Sequence, residues 1–416
     1  MPEMRMISRL LRSPFLILLP FWLFISFFKF GGNIQYTLLS PLGDRMFDTW
    51  MVGLLIGLAS MIQLFLDVPA GMLLDRFGYI RMLRIGVLTF ILACLALVII
   101  PGPMGFMATL FIGSFGWLFF GPGINAYLLS SAPKEGADNF MATRDVFDAT
   151  GVFLSAIMIP FLVLAPPQKI GFTSAALLLV ALLFLFASPK DKVSVHEEKK
   201  TPHHHFYIRR HAFRNLFRSL DRLNPASWLL IGHGLSASIF YSTIWFVLPL
   251  MMIDPSKQIF GISLGIFDLA IVAIGSILGK ITLHTKKRTA VTAGLFIFAI
   301  MAAFLGSQTG WIFLVIGFIA TSGDELSNIS LWSWLSRLDK DHASDGAVSG
   351  TISLFQDFGW MIGPMAAGFL YEAFGPETTI SLASIPIFAI FIISLFISST
   401  EKNNHPHPHP RRLRGR

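Results

Sequence analysis

Gly71-Met72-Leu73-Leu74-Asp75-Arg76-Phe77-Gly78-Tyr79-Ile80-Arg81 stands between two apolar runs, Met51 to Ala70 and Ile85 to Ile100. A helix needs about 20 predominantly apolar residues to cross hydrocarbon, so each flank has the length of a spanning segment. What joins them is a very short turn holding Asp75, Arg76, Gly78 and Arg81. Two membrane-length helices back to back, joined by a short charged turn, set the pattern for the rest of the chain.

The 416 residues are 54% hydrophobic and only 13% charged, against roughly 25% charged in ordinary soluble domains. A mean hydropathy of +0.66 and repeated apolar runs place the chain among polytopic membrane proteins. Lipid cannot satisfy exposed backbone groups and strand-type alternation is absent, so helices are the spanning element. The apolar runs and their breakers give twelve approximate spans: 14–40, 48–75, 82–100, 105–131, 140–165, 170–188, 226–253, 260–284, 289–306, 311–336, 345–373 and 378–399. Pro101-Gly102-Pro103, Pro166-Pro167 and Gly375-Pro376 punctuate three of the turns. The single cysteine, Cys94, sits inside an apolar run, excludes an intramolecular disulfide and reads as packing.

Basic residues fix the expected orientation. With the N-terminus cytoplasmic and the loops alternating, 27 of the 32 Lys and Arg fall in cytoplasmic segments, as the positive-inside rule requires. The net charge of +8 is therefore topogenic, and a nucleic-acid partner is not expected. Arg5, Arg9 and Arg12 precede an apolar run that continues past Lys29 without an Ala-x-Ala-like site, which reads as a retained first helix. The largest shift in composition divides the chain into a first six-helix half (1–188), a linker (189–225), a second six-helix half (226–399) and a basic His/Pro-rich tail (400–416). Within the linker, Phe213, Leu216, Phe217, Leu220 and Leu223 recur opposite Arg210, Arg214, Arg218 and Arg222. That pattern suits a basic amphipathic helix on the inner leaflet or a solvated linker helix. His203-His204-His205 and the His-Pro repeats of the tail lack the fixed ligand spacing of a metal site.

The opening stretch resembles the loop between helices two and three of the major facilitator superfamily, Gly-x-Leu-x-Asp-Arg-x-Gly-Arg-Lys. Tyr79-Ile80 stand here where the basic pair would fall, with Arg81 next. The two halves also echo each other at an offset of a little over two hundred residues. Leu39-Ser40-Pro41-Leu42 matches Val247-Leu248-Pro249-Leu250, and Gly121-Pro-Gly-Ile-Asn125 matches Gly323-Asp-Glu-Leu-Ser327-Asn328. Gly275-Ser-Ile-Leu-Gly279-Lys280 occupies the place of Gly71 to Arg76 without its acid. Such repeats are the trace of transporters that rock one half against the other. The resemblance implies an all-α integral membrane fold of twelve transmembrane helices in two pseudo-symmetric halves (the MFS fold), with both termini cytoplasmic in the plasma (inner) membrane. It further implies that spans one, four, seven and ten line a central cavity and that three, six, nine and twelve face lipid.

Charge inside a span costs at least ~2.5–3.5 kcal/mol at a helix centre, so each case is a candidate. They are Lys29, Asp67, Arg144, Asp145, Asp148, Asp268, Asp324, Glu325 and Asp357, and spans three, six, nine and twelve hold none beyond Arg84 at the very start of span three. Lys29, with Asn33 and Tyr36 on the same face, and Asp324 and Glu325 lie about halfway along spans one and ten. They are expected to form a cavity pair that substrate or a proton competes for, or equally a structural ion pair. Arg144 and Asp148 are spaced to pair along span five, leaving Asp145 on another face. Asp67, Gly71 and Asp75 share one face of span two. By resemblance that face packs on span eleven, Asp75 meets the positive N-terminal end of that helix, and Arg76 and Arg81 pair with cytoplasmic acids. Gly71 and Gly78 would allow close helix approach and a tight turn; simple topogenic charge is the plainer reading of the loop. Gly359, Gly363 and Pro364 suit a close-packed, kinkable helix at the interface between the halves. His233 in span seven reads as a titrating group or a packed one. Tyr36, Trp117, Tyr241 and Trp245 are candidate cavity walls.

No Walker A lysine motif, nucleophile–base constellation or zinc spacing appears, so no enzyme and no ATP-driven pump is expected. The Gly-Pro-x-x-Gly-Gly signature of many drug–proton antiporters and the Pro-Glu-Ser-Pro-Arg signature of sugar porters are absent as well. The expectation is a monomeric secondary transporter of a small-molecule substrate, driven by protons through Asp324, Glu325 or Asp357, with no cofactor beyond an ion gradient. Seven acids in the spans against Lys29 and Arg144 bias it toward cationic or amphiphilic cargo and export. A symporter importing a nutrient or anion through Lys29, and a non-transporting sensor or scaffold, are the competing readings.

Overall fold

The computed structural model describes residues 17–131, 137–189, 225–254, 260–338 and 345–397. The amphipathic linker helix, the His-rich segments, the first three arginines and the tail lie outside the described residues. Among the described residues thirteen helical segments follow one another: α1 Leu19–Asp44, α2 Thr49–Phe77, α3 Tyr79–Ile99, α4 Gly102–Leu118, α5 Phe120–Ser131, α6 Ala137–Leu162, α7 Pro167–Ala187, α8 Pro225–Met251, α9 Phe260–His284, α10 Lys287–Leu305, α11 Gly310–Leu338, α12 Asp345–Leu382 and α13 Ile385–Phe396. Nine stretches of the described residues are long and apolar enough to cross a bilayer. Their outer faces carry side chains that a soluble protein would bury: Phe161 is 74% exposed and Trp311 74%. Broad apolar surface of this kind marks contact with lipid.

Local chemistry explains the breaks. The run expected as one span over 105–131 is two segments, α4 and α5, meeting at Phe119. Pro122 has no N–H to offer the carbonyl of Leu118, so the helix bends there. Gly78 caps α2 and opens α3 with φ 88° and ψ 146°, a region in which a side chain is strained. Its N–H donates to the Leu74 carbonyl at 3.0 Å and its carbonyl accepts from Met82 at 3.2 Å. Gly375, at φ 79°, divides the long α12 in the same way just before Pro376.

The internal echo has a structural counterpart. Pro41 and Pro249 each lie inside a helix near its end, and both are buried. A Cβ on Gly86 of α3 would stand 3.1 Å from the Gly116 carbonyl oxygen, and one on Gly294 of α10 2.7 Å from that of Gly323. An arginine of α3, Arg84, reaches the carbonyl of Leu185 near the end of α7, and Arg288 of α10 reaches that of Leu395 near the end of α13.

Packing differs between the two ends of the bundle. Where α1 and α8 finish, one continuous apolar core joins residues before 190 with residues after 224, running from Leu38 and Leu42 through Ile159 to Ile244, Leu248 and Ala367. Where α1 and α8 begin, the core divides in two, apart from a small cluster of Ala70, Leu74, Met82, Leu118 and Phe119. One part holds Phe21, Phe24, Phe28, Phe90 and Leu182; the other holds Leu230, Leu295, Leu331 and Trp334. The bundle is closed at one end and forked at the other.

Two long seams join the parts. In the first, α2 lies on α12 at backbone distance. A Cβ on Gly53 would strike the Pro364 carbonyl, one on Gly57 would lie 2.7 Å from the Met361 carbonyl, and one on Gly368 2.9 Å from that of Thr49. The second brings α9 onto α6, where a Cβ on Gly265 would lie 2.9 Å from the Phe153 ring. Gly359 and Gly363, expected at the interface between the halves, instead face α8. A Cβ on Gly359 would meet the Leu235 carbonyl at 2.8 Å, and one on Gly363 the Ile239 carbonyl at 2.9 Å. The glycines that serve the seam are Gly53, Gly57 and Gly368. The close approach expected at Gly71 is also absent, since a Cβ there meets nothing within 4 Å.

This difference is testable by thermal unfolding in detergent. Gly53→Val places side-chain atoms against backbone that cannot yield and is expected to cost ~1–3 kcal/mol, whereas Gly71→Val leaves the transition where it is. Equal effects at the two positions would contradict the assignment of the seam.

Candidate functional site: a charged cluster where the core divides

The charges that the helices carry into the apolar zone are compensated locally. Gly151 allows α6 to lie against α1: a Cβ there would strike the Ser26 carbonyl and stand 2.7 Å from Cβ of Lys29. Ser26 ties the same helices by donating from Oγ to the Phe147 carbonyl at 2.7 Å. With the backbones this close, Nζ of Lys29 reaches Oδ2 of Asp148 at 3.0 Å. It also lies 5.5 Å from the ring centres of Trp117 and Phe120, within range of cation–π attraction. Oδ1 of Asp148 is buried without a hydrogen-bond partner, which leaves one carboxylate oxygen free to accept. Asp268 of α9 approaches this pair closely enough to interact electrostatically with both members.

A second constellation is built on α8 and α11. His233 Nε2 lies 2.8 Å from Oδ1 of Asp324 and 3.0 Å from Oγ of Ser327. The Tyr241 hydroxyl donates to Oδ2 of Asp324 at 2.8 Å. Asp324 is 9% exposed and His233 4%. Although Oδ1 is near the imidazole, it lacks a well-directed hydrogen bond, so the contact depends on the charge the imidazole carries. Glu325, one residue on, hydrogen-bonds Asn328 and interacts electrostatically with Asp324, with Asp145 of α6 and with His233. Charges from both sides of the bundle therefore face one another.

A third contact crosses the α2–α12 seam, where Asp67 and Asp357 share a hydrogen bond between carboxyl groups. Ionised carboxylates only accept, so a proton shared between the two acids would satisfy both.

Three pairings differ from those expected. Lys29 meets Asp148 rather than Asp324 or Glu325, because Gly151 turns that face of α6 toward α1. Arg144 consequently pairs with Asp145 at 3.6 Å instead of with Asp148. Arg76 and Arg81, expected to hold acids, lie over the Phe77 ring at 5.3 and 5.9 Å, and neither forms an ion pair among the described residues. Asp75 is exposed beside them. Asn33 is buried on α1, and Tyr36 packs edge-on against Trp360 of α12 at 6.3 Å. Pro364 gives its carbonyl to the Gly53 contact. The sequence reading missed Gly151, Phe120, Ser327, Gly53 and Gly57. In helices apolar all round, only a small residue one turn from a charge marks where a neighbour can come close.

The chain matches the family model described as Major Facilitator Superfamily over residues 2–156 and 52–348, and it belongs to that family. A sequence comparison with curated proteins gives no match. Among solved structures, a mutant form of the nucleoside transporter NupG is similar, with a TM-score of 0.72, 14% identity and coverage of 91% of this chain and 99% of that one. A bacterial homolog of the human lysosomal transporter Spinster, inward-facing and unoccupied, has a TM-score of 0.67 and 12% identity over 92% of this chain and 95% of its own. A POT family transporter in complex with 5-aminolevulinic acid gives 0.65 and 13% over 89% and 94%. At these identities the likeness shows the fold alone.

The Lys29 pairing makes a specific demand. Lys29→Met strands the Asp148 carboxylate among apolar groups and is expected to lower stability by ~1–3 kcal/mol, with most of the loss recovered in Lys29→Met/Asp148→Asn. Recovery with Asp324→Asn instead, measured by thermal unfolding, would overturn the pairing.

Proposed function

We propose that this protein is a secondary active transporter that moves a small solute by alternating access, coupled to protons. In this reading α4 with α5 makes one crossing, and the division of α12 at Gly375 ends one crossing and begins another, which α13 completes. That gives twelve crossings in two six-helix halves on either side of the linker. The forked end, which carries the Gly78 turn, is cytoplasmic together with both termini in the plasma membrane, and the chain acts as a monomer. Only the proton gradient is needed to drive it.

The observation that carries the reading is the placing of Lys29, Asp148, Asp268, His233, Asp324 and Glu325 together where the single core divides. A fixed scaffold gains nothing from charges that cost this much to bury. A carrier needs groups whose pairing changes when a solute or a proton arrives. The free oxygen of Asp148, with Asp268 near it and Glu325 near Asp145, supports cationic or amphiphilic cargo and export. Import of an anion on Lys29 is the weaker reading, because the ammonium is already held by Asp148 and by two rings. The carboxyl pair Asp67–Asp357 and the His233–Asp324 pair are the candidate proton carriers.

Purified protein in proteoliposomes, screened for proton movement against a panel of cationic, anionic and neutral solutes, tests this directly. The expected result is proton flux evoked by a cationic or amphiphilic solute and reduced to the level of empty liposomes by Asp324→Asn, Glu325→Gln or Asp357→Asn. Solute movement without proton flux would remove the coupling. Silence from a folded, monodisperse protein toward every solute would favour a uniporter of other cargo or a non-transporting role.

A further inference from the structure

A cavity of about 700 Å³ opens on the outer surface between α10 and α13, away from the charged cluster. Its rim is polar and basic, with Lys286, Arg288, Thr289 and Thr292, and its floor holds Phe296 and Phe391. No acid lines it. The chemistry is graded along the helices. Phe296 lies two turns from Arg288, roughly 12 Å at 1.5 Å per residue, and the two rings of the floor stand 5.4 Å apart. Ser394 approaches Thr292 at 3.4 Å between the ends. One end thus suits an anion and the other a hydrocarbon chain, and the floor is continuous with apolar surface: Phe296 is 46% exposed.

The arginine at the rim is held in place and left available. Arg288 Nη2 donates to the Leu395 carbonyl at 2.8 Å, which fixes the guanidinium without neutralising it. Neither Lys286 nor Arg288 meets a carboxylate at ion-pair distance among the described residues. The similar clasp between α3 and α7 differs on this point. There the Phe186 ring covers Arg84 at 4.4 Å, and the neighbouring α3 positions, Met82 and Ile85, are apolar. Among the described residues no ring covers Arg288, and Phe396, which follows its acceptor residue, is 81% exposed. Where the first part of the chain shields its arginine, the second leaves a basic, hydroxyl-lined rim above an aromatic floor.

We propose that this cavity binds one anionic phospholipid, its phosphate held by Lys286, Arg288 and the hydroxyls of Thr289 and Thr292 and an acyl chain lying on Phe296 and Phe391. A free phosphate would use the rim and leave the floor unfilled, whereas a lipid uses both. Basic pockets between membrane helices are suited to such headgroups. This inference goes beyond the transport reading and stands whether or not protons are coupled.

The test is native mass spectrometry of the full chain, delipidated in detergent and titrated with dioleoylphosphatidylglycerol or dioleoylphosphatidylcholine. The expected result is at least one phosphatidylglycerol held about tenfold more tightly than phosphatidylcholine, with the count of such lipids falling by one in Lys286→Gln/Arg288→Gln. Thr289→Glu, an exposed change that leaves the Arg288–Leu395 contact intact, is expected to remove the same lipid and decides the matter if the double variant does not fold. An unchanged count in the folded variants would overturn the site. Displacement of the lipid by millimolar inorganic phosphate would overturn the lipid assignment in favour of a soluble anion.

Discussion

A lysine in the middle of a membrane-length helix has to be neutralised where it stands, and much of this molecule follows from how Lys29 meets that demand. Its ammonium lies well inside α1, where an unpaired charge is costly, and a carboxylate comes to it. Asp148 can do so only because α6 has no side chain at position 151, which lets the two backbones touch. That contact sets the rotation of α6. The rotation turns Asp145 toward Glu325 of the far side, and it presents the face at Ala156 and Phe153 to Gly265 of α9. One electrostatic requirement, met through one glycine, thus arranges a helix that carries both the cluster and a seam.

The seams and the cluster have complementary physical characters. Along α2 and α12, glycines bring backbone against backbone, an interface with little side-chain interlock to resist sliding or rocking. The cluster and the seam beside it hold charged and hydrogen-bonded groups whose partners can exchange: Asp148 has a spare oxygen, His233 lies between a hydroxyl and a carboxylate, and Asp67 and Asp357 meet carboxyl to carboxyl. Small changes in protonation or occupancy in such a network are worth enough to shift a balance between two packings. In the proposed alternating-access cycle, the single core at one end and the divided core at the other are the arrangement of one of those packings.

Much of the fold was legible in the sequence, for reasons that residues make plain. Gly78 announced its turn because few other residues accept that backbone conformation, and Gly375-Pro376 did the same for α12. The charged residues could be assigned to their helices because an intramembrane charge stands out against an apolar background. Their partners could not be read. Which acid meets Lys29 depends on helix rotation, and helices that are apolar all round give no periodic signal from which rotation follows. Pairing Arg144 with Asp148 by spacing alone failed because a lysine on another helix offered a closer partner. The roles of Gly359 and Gly363 went astray similarly: a run of small residues says that something approaches closely, not which helix it is. Pro122 could have revealed the break between α4 and α5, since its missing N–H is a local property.

The central claim is that closure at one end and opening at the other exchange as the two parts rock. Distances between spin labels on the protein in liposomes test it most directly, with one pair at Arg76 and Thr285 on the forked end and another at Asp48 and Thr309 on the closed end. All four positions are exposed, and buried Cys94 would be replaced by alanine. The account predicts two populations for each pair, with a change of pH shortening one distance as it lengthens the other. A single, unvarying distance for both pairs across pH would contradict it.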